Sequence, residues 1–348
     1  MLHLIKRGRG LSAGLLGMLA FADPASALVI APTFDPSITG LANAIEVENA
    51  IQSAIDTIDG LYGNAGTVPV LFKYSAGVGN GGSTASAGTT LAYSTYRSLL
   101  AANASANPSN LVLGAAIASL PSTLSSNIRV PNVMARIILG VSGATPCYNA
   151  SGSFVSGCNQ SYDAVVTLGN LYYVSPGAGY NTQAVNVVEH ELNEVLGVGG
   201  TSTTLGSGLG PSTIGTTDLY RYHSSGSGCT TATGLTHTLS YTSSTSEVAC
   251  YSTDGGTTAV AQLNQTGTGD LGDFLRLAGG PYQIQDYTTN GSDVIPVYTT
   301  SSPEYIVMQS IGYTASVPEP TALAWFLSAL AGLRMLRTGR PELAPVKA

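Results

Sequence analysis

The sequence predicts an α+β fold with a mixed sheet, in which helices come early and a half rich in loops and β segments follows. Between residues 41 and 121, three segments with helical apolar periodicity accompany one segment of β-forming residues. Beyond residue 200 the chain is rich in Ser, Thr and Gly and has only short β-like runs. No stretch of linker composition divides the chain, so we expect one domain between its two ends.

The elements follow one another in a simple order. The first helix is predicted at 41–64, because apolar residues recur there at helical spacing: Val47, Ile51, Ile55 and Ile58. After it we expect a strand at 67–75, a Gly/Ser/Thr-rich loop at 76–90, and helices at 91–104 and 111–121. The rest of the chain predicts a strand at 162–170, a helix at 183–196, a hairpin at 247–264 that turns at Asp254-Gly255-Gly256, and a last helix at 304–314.

The first 27 residues have the organisation of a secretory signal. Basic residues between positions 6 and 9 precede the apolar segment GLSAGLLGMLAF and the small-x-small cleavage site ASA at 25–27. We therefore expect a signal peptide at 1–27 and a mature chain that begins at Leu28. An uncleaved anchor is the alternative.

The C-terminal end carries a second targeting pattern. The motif VPEP at 317–320 leads into the apolar run TALAWFLSALAGL, which is followed by Arg334, Arg337 and Arg340. This order predicts a membrane helix within 317–340 and a cytoplasmic tail at 341–348. It resembles the PEP-CTERM sorting signal of diderm bacteria. That resemblance implies export, an inner-membrane intermediate, cleavage by an exosortase, and delivery to the cell surface or extracellular matrix. An ordinary C-terminal anchor is the alternative.

The composition of the intervening part, 28–316, is acidic. It holds 6 Lys and Arg residues against 17 Asp and Glu residues, a formal charge of −11. Nucleic-acid binding needs a basic surface, so this balance argues against nucleic acid as a partner.

Four cysteines in an exported chain favour disulfides, and the short turn-rich stretches between them favour the pairs Cys147–Cys158 and Cys229–Cys250.

The stretch NVVEHELNEVLG at 186–197 is the candidate active-site helix. It holds one histidine and three glutamates within six positions of a chain in which 9% of residues are charged. On a helix, His190 and Glu194 lie one turn apart, Glu191 lies beside them, and apolar residues gather on the opposite face. This is the arrangement of the zinc motif H-E-x-x-H, with Glu194 in place of the second histidine. The alternative is a structural helix whose polar side faces water.

Metal chemistry tolerates this replacement. A carboxylate oxygen can bind Zn²⁺ in place of an imidazole, although its negative charge weakens the Lewis acidity of the metal and could favour Mn²⁺ or Ca²⁺. In this interpretation Glu191 is the general base that activates a water molecule. Four aspartates in Gly-rich turns could bind structural Ca²⁺, but ordinary turn formation explains them better: Asp254, Asp270, Asp273 and Asp293.

The sequence leaves the third metal ligand open. The longer pattern H-E-x-x-H-x-x-G-x-x-H would place it at position 200, which is a glycine. Asp218 and His223 are the main candidates further along the chain, with His237 as another. Arg221 and Tyr222 could stabilise an oxyanion, or they could serve packing and a surface salt bridge.

The motif helix and several short segments resemble a group of exported bacterial zincin-like proteins that often carry PEP-CTERM tails. These segments are DLYRY (218–222), YSTDGGTT (251–258), GDLGDF (269–274) and MQSIGY (308–313). The helix of that group also has Glu at the fifth position of the motif. The resemblance implies a zincin-like metalloprotease fold, with His190 and Glu194 as zinc ligands and Glu191 as the base, and it places Asp218 in a shared segment.

Two functions follow from these observations. The first is a secreted, surface-sorted, zinc-dependent metallopeptidase, a hydrolase whose partners are the secretion machinery, an exosortase and a peptide or protein substrate. The second is a non-catalytic matrix or surface-adhesion protein that retains the same fold. The low charge and the abundance of Ser, Thr and Gly suit that second role as well.

Overall fold

The computed structural model describes residues 27–170, 182–206, 212–226, 228–229, 235–276, 281–288 and 296–316. Residues 1–26 of the predicted signal peptide and the predicted sorting signal and tail at 317–348 lie outside these ranges. Within the described ranges, no helix has both the length and the apolar character that crossing a bilayer requires.

Seven α-helices lie in the described part of the chain. They are α1 (Pro36–Thr39), α2 (Ala44–Leu61), α3 (Tyr93–Ala106), α4 (Leu111–Ser119), α5 (Asn132–Ile137), α6 (Thr182–Leu196) and α7 (Pro303–Ser310). The helices predicted at 41–64, 91–104, 111–121, 183–196 and 304–314 are therefore confirmed as α2, α3, α4, α6 and α7.

The strands form three sheets. The first contains β1 (Leu28–Phe34), β2 (Gly66–Tyr74), β3 (Gly82–Ser86) and β6 (Ala164–Leu168); the second small sheet contains β4 (Gly88–Ala92), β5 (Asn127–Pro131) and β7 (Thr213–Gly215). The third contains β8 (Arg221–Ser224), β9 (Leu235–Leu239), β10 (Val248–Tyr251) and β11 (Ala261–Gln262). The protein is thus a mixed α and β structure, and its hairpin β10–β11 confirms the one predicted at 247–264.

The first sheet positions the motif helix. Its strand order is β1-β2-β6-β3, in which β1, β2 and β6 run parallel and β3 joins β6 antiparallel at the edge. Helix α6 packs against α2 and against β3. The apolar residues of α2 that predicted this helix are buried in the main core, together with the apolar side of α6. Burial of these faces orders both helices, because helix propensity alone contributes little.

The prediction of a loop at 76–90 is wrong, because this segment contains β3 and the start of β4. Strand β3 has the sequence GSTAS, which lacks the β-branched and aromatic runs that mark strands in a sequence. Its order comes from pairing with β6 and from contact with α6. Small residues suit this position because the helix approaches the strand closely.

Both predicted disulfides are present. Cys147 pairs with Cys158, and Cys229 pairs with Cys250. No free cysteine remains in the described residues. Two disulfides are typical of a protein that folds in an oxidising or extracellular environment.

Candidate metal centre

Helix α6 carries the motif and lies in the interior of the protein. Its three glutamates, Glu189, Glu191 and Glu194, are only 3%, 4% and 3% exposed. The polar side of the helix therefore does not face water, which excludes the alternative of a surface helix. Burying unpaired carboxylates is costly, so each of these groups needs a partner in the protein or a bound cation.

Three side chains with metal-binding atoms meet beside this helix. His190, Glu194 and Asp273 each offer one ligand atom, and these atoms all lie within 4.8 Å of one another. Asp273 comes from the segment that follows β11, and its Oδ2 atom lies 3.7 Å from Nε2 of His190. One imidazole and two carboxylates form a donor set that divalent metals accept.

Backbone groups orient two of the three candidate ligands, His190 and Glu194. Nδ1–H of His190 donates to the carbonyl oxygen of Ile284 at 2.9 Å, so Nε2 is the ring nitrogen whose lone pair can bind a metal. The N–H of Gly200 donates to Oε1 of Glu194 at 2.9 Å. Gly200, which stands where the longer zinc motif has its third histidine, therefore supports the site through its backbone N–H.

The charges of the group suit a bound cation. Burial, followed by the charges of Glu191, Asp273 and Asp270, raises the pKa of Glu194 well above its usual value. Burial also raises the pKa of Asp273 to about 6, although His190 opposes the shift. Burial alone would lower the pKa of His190, but the surrounding carboxylates outweigh it and the pKa is raised. A divalent cation between the three side chains would supply the positive charge that they lack, so the donor set fits a metal.

Glu191 makes different contacts from Glu194. Its Oε2 atom accepts a hydrogen bond from Oγ1 of Thr84 on β3 at 2.7 Å. A Cβ atom on Gly82 would come within 2.4 Å of Oε1 of Glu191, so the glycine leaves room for the carboxylate. Burial raises the pKa of Glu191, against the effects of His190 and Thr84. A raised pKa makes the carboxylate a stronger base, which suits a group that accepts a proton from water.

A cleft of about 410 Å³ opens along this side of α6. Residues 80–84, which include the first half of β3, line one wall, and residues from the segments 269–273 and 282–288 line the other. His190, Glu191 and Glu194 lie between the two walls. The volume falls in the range of small-molecule and side-chain binding sites.

Asp218, one candidate for the third ligand, is engaged elsewhere. It is 1% exposed, and its two carboxylate oxygens accept hydrogen bonds from Thr203 Oγ1 at 2.6 Å, Gly215 N at 2.8 Å and Thr204 N at 3.2 Å. These bonds fix the turn between the end of α6 and β8. Asp273 takes the place beside the helix that the sequence analysis gave to Asp218 or His223.

The candidate histidines also lie in other contacts. Nδ1 of His223 on β8 is 3.5 Å from Oε2 of Glu247, and its side chain is 38% exposed. Nδ1 of His237 on β9 is 2.6 Å from the carbonyl oxygen of Gly255. Neither histidine belongs to the ligand group that the described residues form.

The contacts of Arg221 and Tyr222 favour packing, which is the alternative to oxyanion binding. Arg221 is 1% exposed, and its guanidinium donates to the carbonyl oxygens of Leu271 at 2.7 Å and Asn264 at 3.5 Å. It thereby supports the segment that carries Asp273. Tyr222 is buried next to Gly256, and both residues lie outside the cleft lining described above.

Two residues beside the motif helix are not predicted as part of the site from the sequence. Asp273 lies in a segment that predicts a turn, and Gln285, whose amide contacts both His190 and Asp273, belongs to no motif. The segment GDLGDF was the one available signal for Asp273, since it is part of the resemblance. By contrast, Asp254 forms an ordinary turn, with Oδ1 accepting from the N–H of Thr257 and Thr258, and Asp293 lies outside the described residues.

Comparison with known proteins does not extend the resemblance seen in the motifs. No protein-family model, no curated protein and no solved structure matches this chain.

Proposed function

We propose that the protein is an exported, metal-dependent peptidase of zincin-like fold. The observation that carries this proposal is the convergence of His190, Glu194 and Asp273 in one cleft with Glu191 beside them. Three protein ligands and a neighbouring carboxylate are the usual components of a hydrolytic zinc site. Zn²⁺ is the first candidate for the cation, and Mn²⁺ is the second because two of the three ligands are carboxylates.

Each side chain has a role in this proposal. When bound, the cation supplies Lewis-acid activation of water and of the scissile carbonyl. Glu191 accepts a proton from the water at Oε1 and passes it to the leaving amine, while Thr84 holds the other carboxylate oxygen. The carbonyl of Ile284 keeps the imidazole of His190 in the tautomer that can bind a metal.

The cleft wall supports a peptide substrate. Strand β3 ends the order of the first sheet, so among the described residues one of its edges has no strand partner. Residues 82–84 of this strand line the cleft. An extended peptide can add to such an edge through main-chain hydrogen bonds. The export route by signal peptide and exosortase remains part of the proposal, and the two disulfides support an oxidising destination.

Metal analysis combined with one variant tests this function. Purified, disulfide-intact protein should bind about one Zn²⁺ or Mn²⁺ per chain after metal supplementation and dialysis. Glu191→Gln should retain the metal, and hydrolysis of an unstructured protein substrate should fall about 100-fold or more. His190→Ala should lose both metal and activity. A wild-type protein that binds no metal, or one that binds metal and never cleaves a peptide, would leave the non-catalytic surface protein as the better answer.

A further inference from the structure

The side-chain amide of Gln285 lies within the ligand group. Its Nε2 atom is 3.2 Å from Nε2 of His190 and 3.1 Å from Oδ1 of Asp273. The side chain is 0% exposed, and its Oε1 atom has no hydrogen-bond partner among the described residues. Leaving a buried amide oxygen unpaired is unfavourable, so this arrangement calls for a function.

The two distances match the spacing of neighbouring ligands around one cation. Ligand atoms that bind at about 2.0–2.3 Å, at right or tetrahedral angles to each other, are separated by about 2.8–3.8 Å. The amide of Gln285 therefore stands in a ligand position relative to His190 and Asp273. An amide nitrogen only donates hydrogen bonds, whereas an amide oxygen is a common ligand of hard cations.

Neighbouring groups fix the position of the Gln285 amide, but the amide can still rotate about the last side-chain bond. A Cβ atom on Gly199 would lie 2.3 Å from Nε2 of Gln285, so the backbone at Gly199 lies directly against the amide. The backbone N–H of Gln285 donates to Oε1 of Glu304 at 2.9 Å, which fixes the chain at this point. Half a turn about the last side-chain bond brings Oε1 to the place of Nε2 without moving the backbone.

We propose that Gln285 is a fourth protein ligand, which binds the cation through Oε1 and shifts the preference of the site toward cations that favour oxygen. The donor set is then one imidazole nitrogen and three oxygens, from Glu194, Asp273 and Gln285. Oxygen donors favour Mn²⁺ relative to Zn²⁺ compared with the imidazole-rich sets of most zinc hydrolases. This inference rests on the proposed metal site and adds a ligand and a metal preference to it.

The test compares Gln285→Leu with wild type in metal-binding experiments that need no substrate. The affinities for Zn²⁺ and Mn²⁺ are measured by competition with a chromophoric chelator, and the visible spectrum is recorded with Co²⁺. Gln285→Leu should weaken Mn²⁺ binding about 10-fold or more, and weaken Zn²⁺ binding less. The Co²⁺ bands should change in position and intensity, because they report the ligands themselves. Gln285→Glu, which offers oxygen and cannot donate a hydrogen bond, should restore Mn²⁺ binding.

Gln265→Leu is the matched control. Gln265 is also a buried glutamine, 5% exposed, its Oε1 also lacks a partner in the described residues, and its Nε2 donates to the carbonyls of Thr242 and Ser244. This variant should leave metal affinity and the Co²⁺ spectrum unchanged. If Gln285→Leu gives the wild-type Co²⁺ spectrum and weakens both metals equally, Gln285 is no ligand, although the metal site stands. If wild type binds no metal, the proposed function fails together with this inference.

Discussion

Glu191 and Glu194 are three residues apart on one helix, yet their contacts predict that substitutions of the two residues have different effects on metal binding and turnover. Glu194 lies in the ligand group, whereas Glu191 is held by Thr84 on the neighbouring strand. Glu194→Ala should therefore release the metal, while Glu191→Gln keeps it and loses turnover. Glu194→His, which restores the common zinc motif, should retain or tighten Zn²⁺. Metal content by mass spectrometry decides the matter, and full metal occupancy in Glu194→Ala would remove Glu194 from the ligand set.

A second pair of residues distinguishes the candidate third ligand in the structure, Asp273, from the one expected from the sequence, Asp218. Asp273→Asn should weaken metal binding about 10-fold or more, because a negatively charged ligand is replaced by a neutral one. Asp218→Asn disturbs the hydrogen bonds from Thr203 and Gly215, so it should lower the melting temperature and leave the metal stoichiometry of the folded protein intact. Loss of metal in Asp218→Asn, with metal retained in Asp273→Asn, would instead identify Asp218 as the third ligand.

Gly82 offers a test of the geometry around the base. In Gly82→Ala, the new Cβ atom would meet Oε1 and Cγ of Glu191 at 2.4 and 2.5 Å, and the carboxylate would have to move. We expect hydrolysis to fall, since a displaced base is a poorer base, while metal content stays the same. Gly81→Ala is the control, because nothing lies within 4 Å of a Cβ atom there. Equal activities of the two variants would mean that the position of Glu191 is not critical.

Among the secondary-structure elements, helix α2 carries a titratable contact with strand β1. The carboxylate of Asp59 accepts a hydrogen bond from the N–H of Ile30 at 3.1 Å, and burial raises the pKa of Asp59 from 3.8 to about 6. The folded protein thus binds a proton more tightly than the unfolded chain. The stability that this group contributes is fully present below pH 4 and falls as the pH rises toward about 6.

Thermal unfolding at different pH values checks this expectation. In Asp59→Asn, the loss of stability between pH 4 and pH 6 should be smaller than in wild type, because the ionising group is gone. A chelator excludes pH-dependent metal binding, and the carboxylates of the candidate metal centre then contribute alike to wild type and variant. Glu48→Gln, which removes a different carboxylate from the same helix, should follow the wild-type curve. A wild-type slope in Asp59→Asn would show that Asp59 does not ionise in this range.

How far the sequence predicts each element depends on where its order comes from. Helices such as α2 and α6 can be predicted from the sequence, because their apolar residues recur with the helical period. Strand β3 cannot be predicted in this way. Its residues are small because Glu191 lies against the strand, and they have little strand propensity. The site divides in the same way. His190, Glu191 and Glu194 share one helix and one motif, whereas Asp273 and Gln285 reach it through tertiary folding that a local pattern does not encode.

At the scale of the whole molecule, metal binding should stabilise the complete fold. A ligand that binds only the native state adds about 2.7 kcal/mol when present at about 100 times its Kd. For a domain of this size we expect the melting temperature to rise by several degrees. Differential scanning calorimetry of wild type and His190→Ala, with and without added Zn²⁺ or Mn²⁺, checks this. A rise of equal size in His190→Ala would place the binding site elsewhere.

The contact between Glu304 in α7 and the backbone of Gln285 has a consequence for when the candidate metal centre can form. The motif helix is made long before α7, but the chain that holds His190 through Ile284 is anchored by a residue near the end of the domain. A nascent chain of the proposed peptidase would therefore carry the motif helix without a complete metal centre around it. Its activity would wait for the last part of the domain to fold, so completion of folding would itself be the activating step.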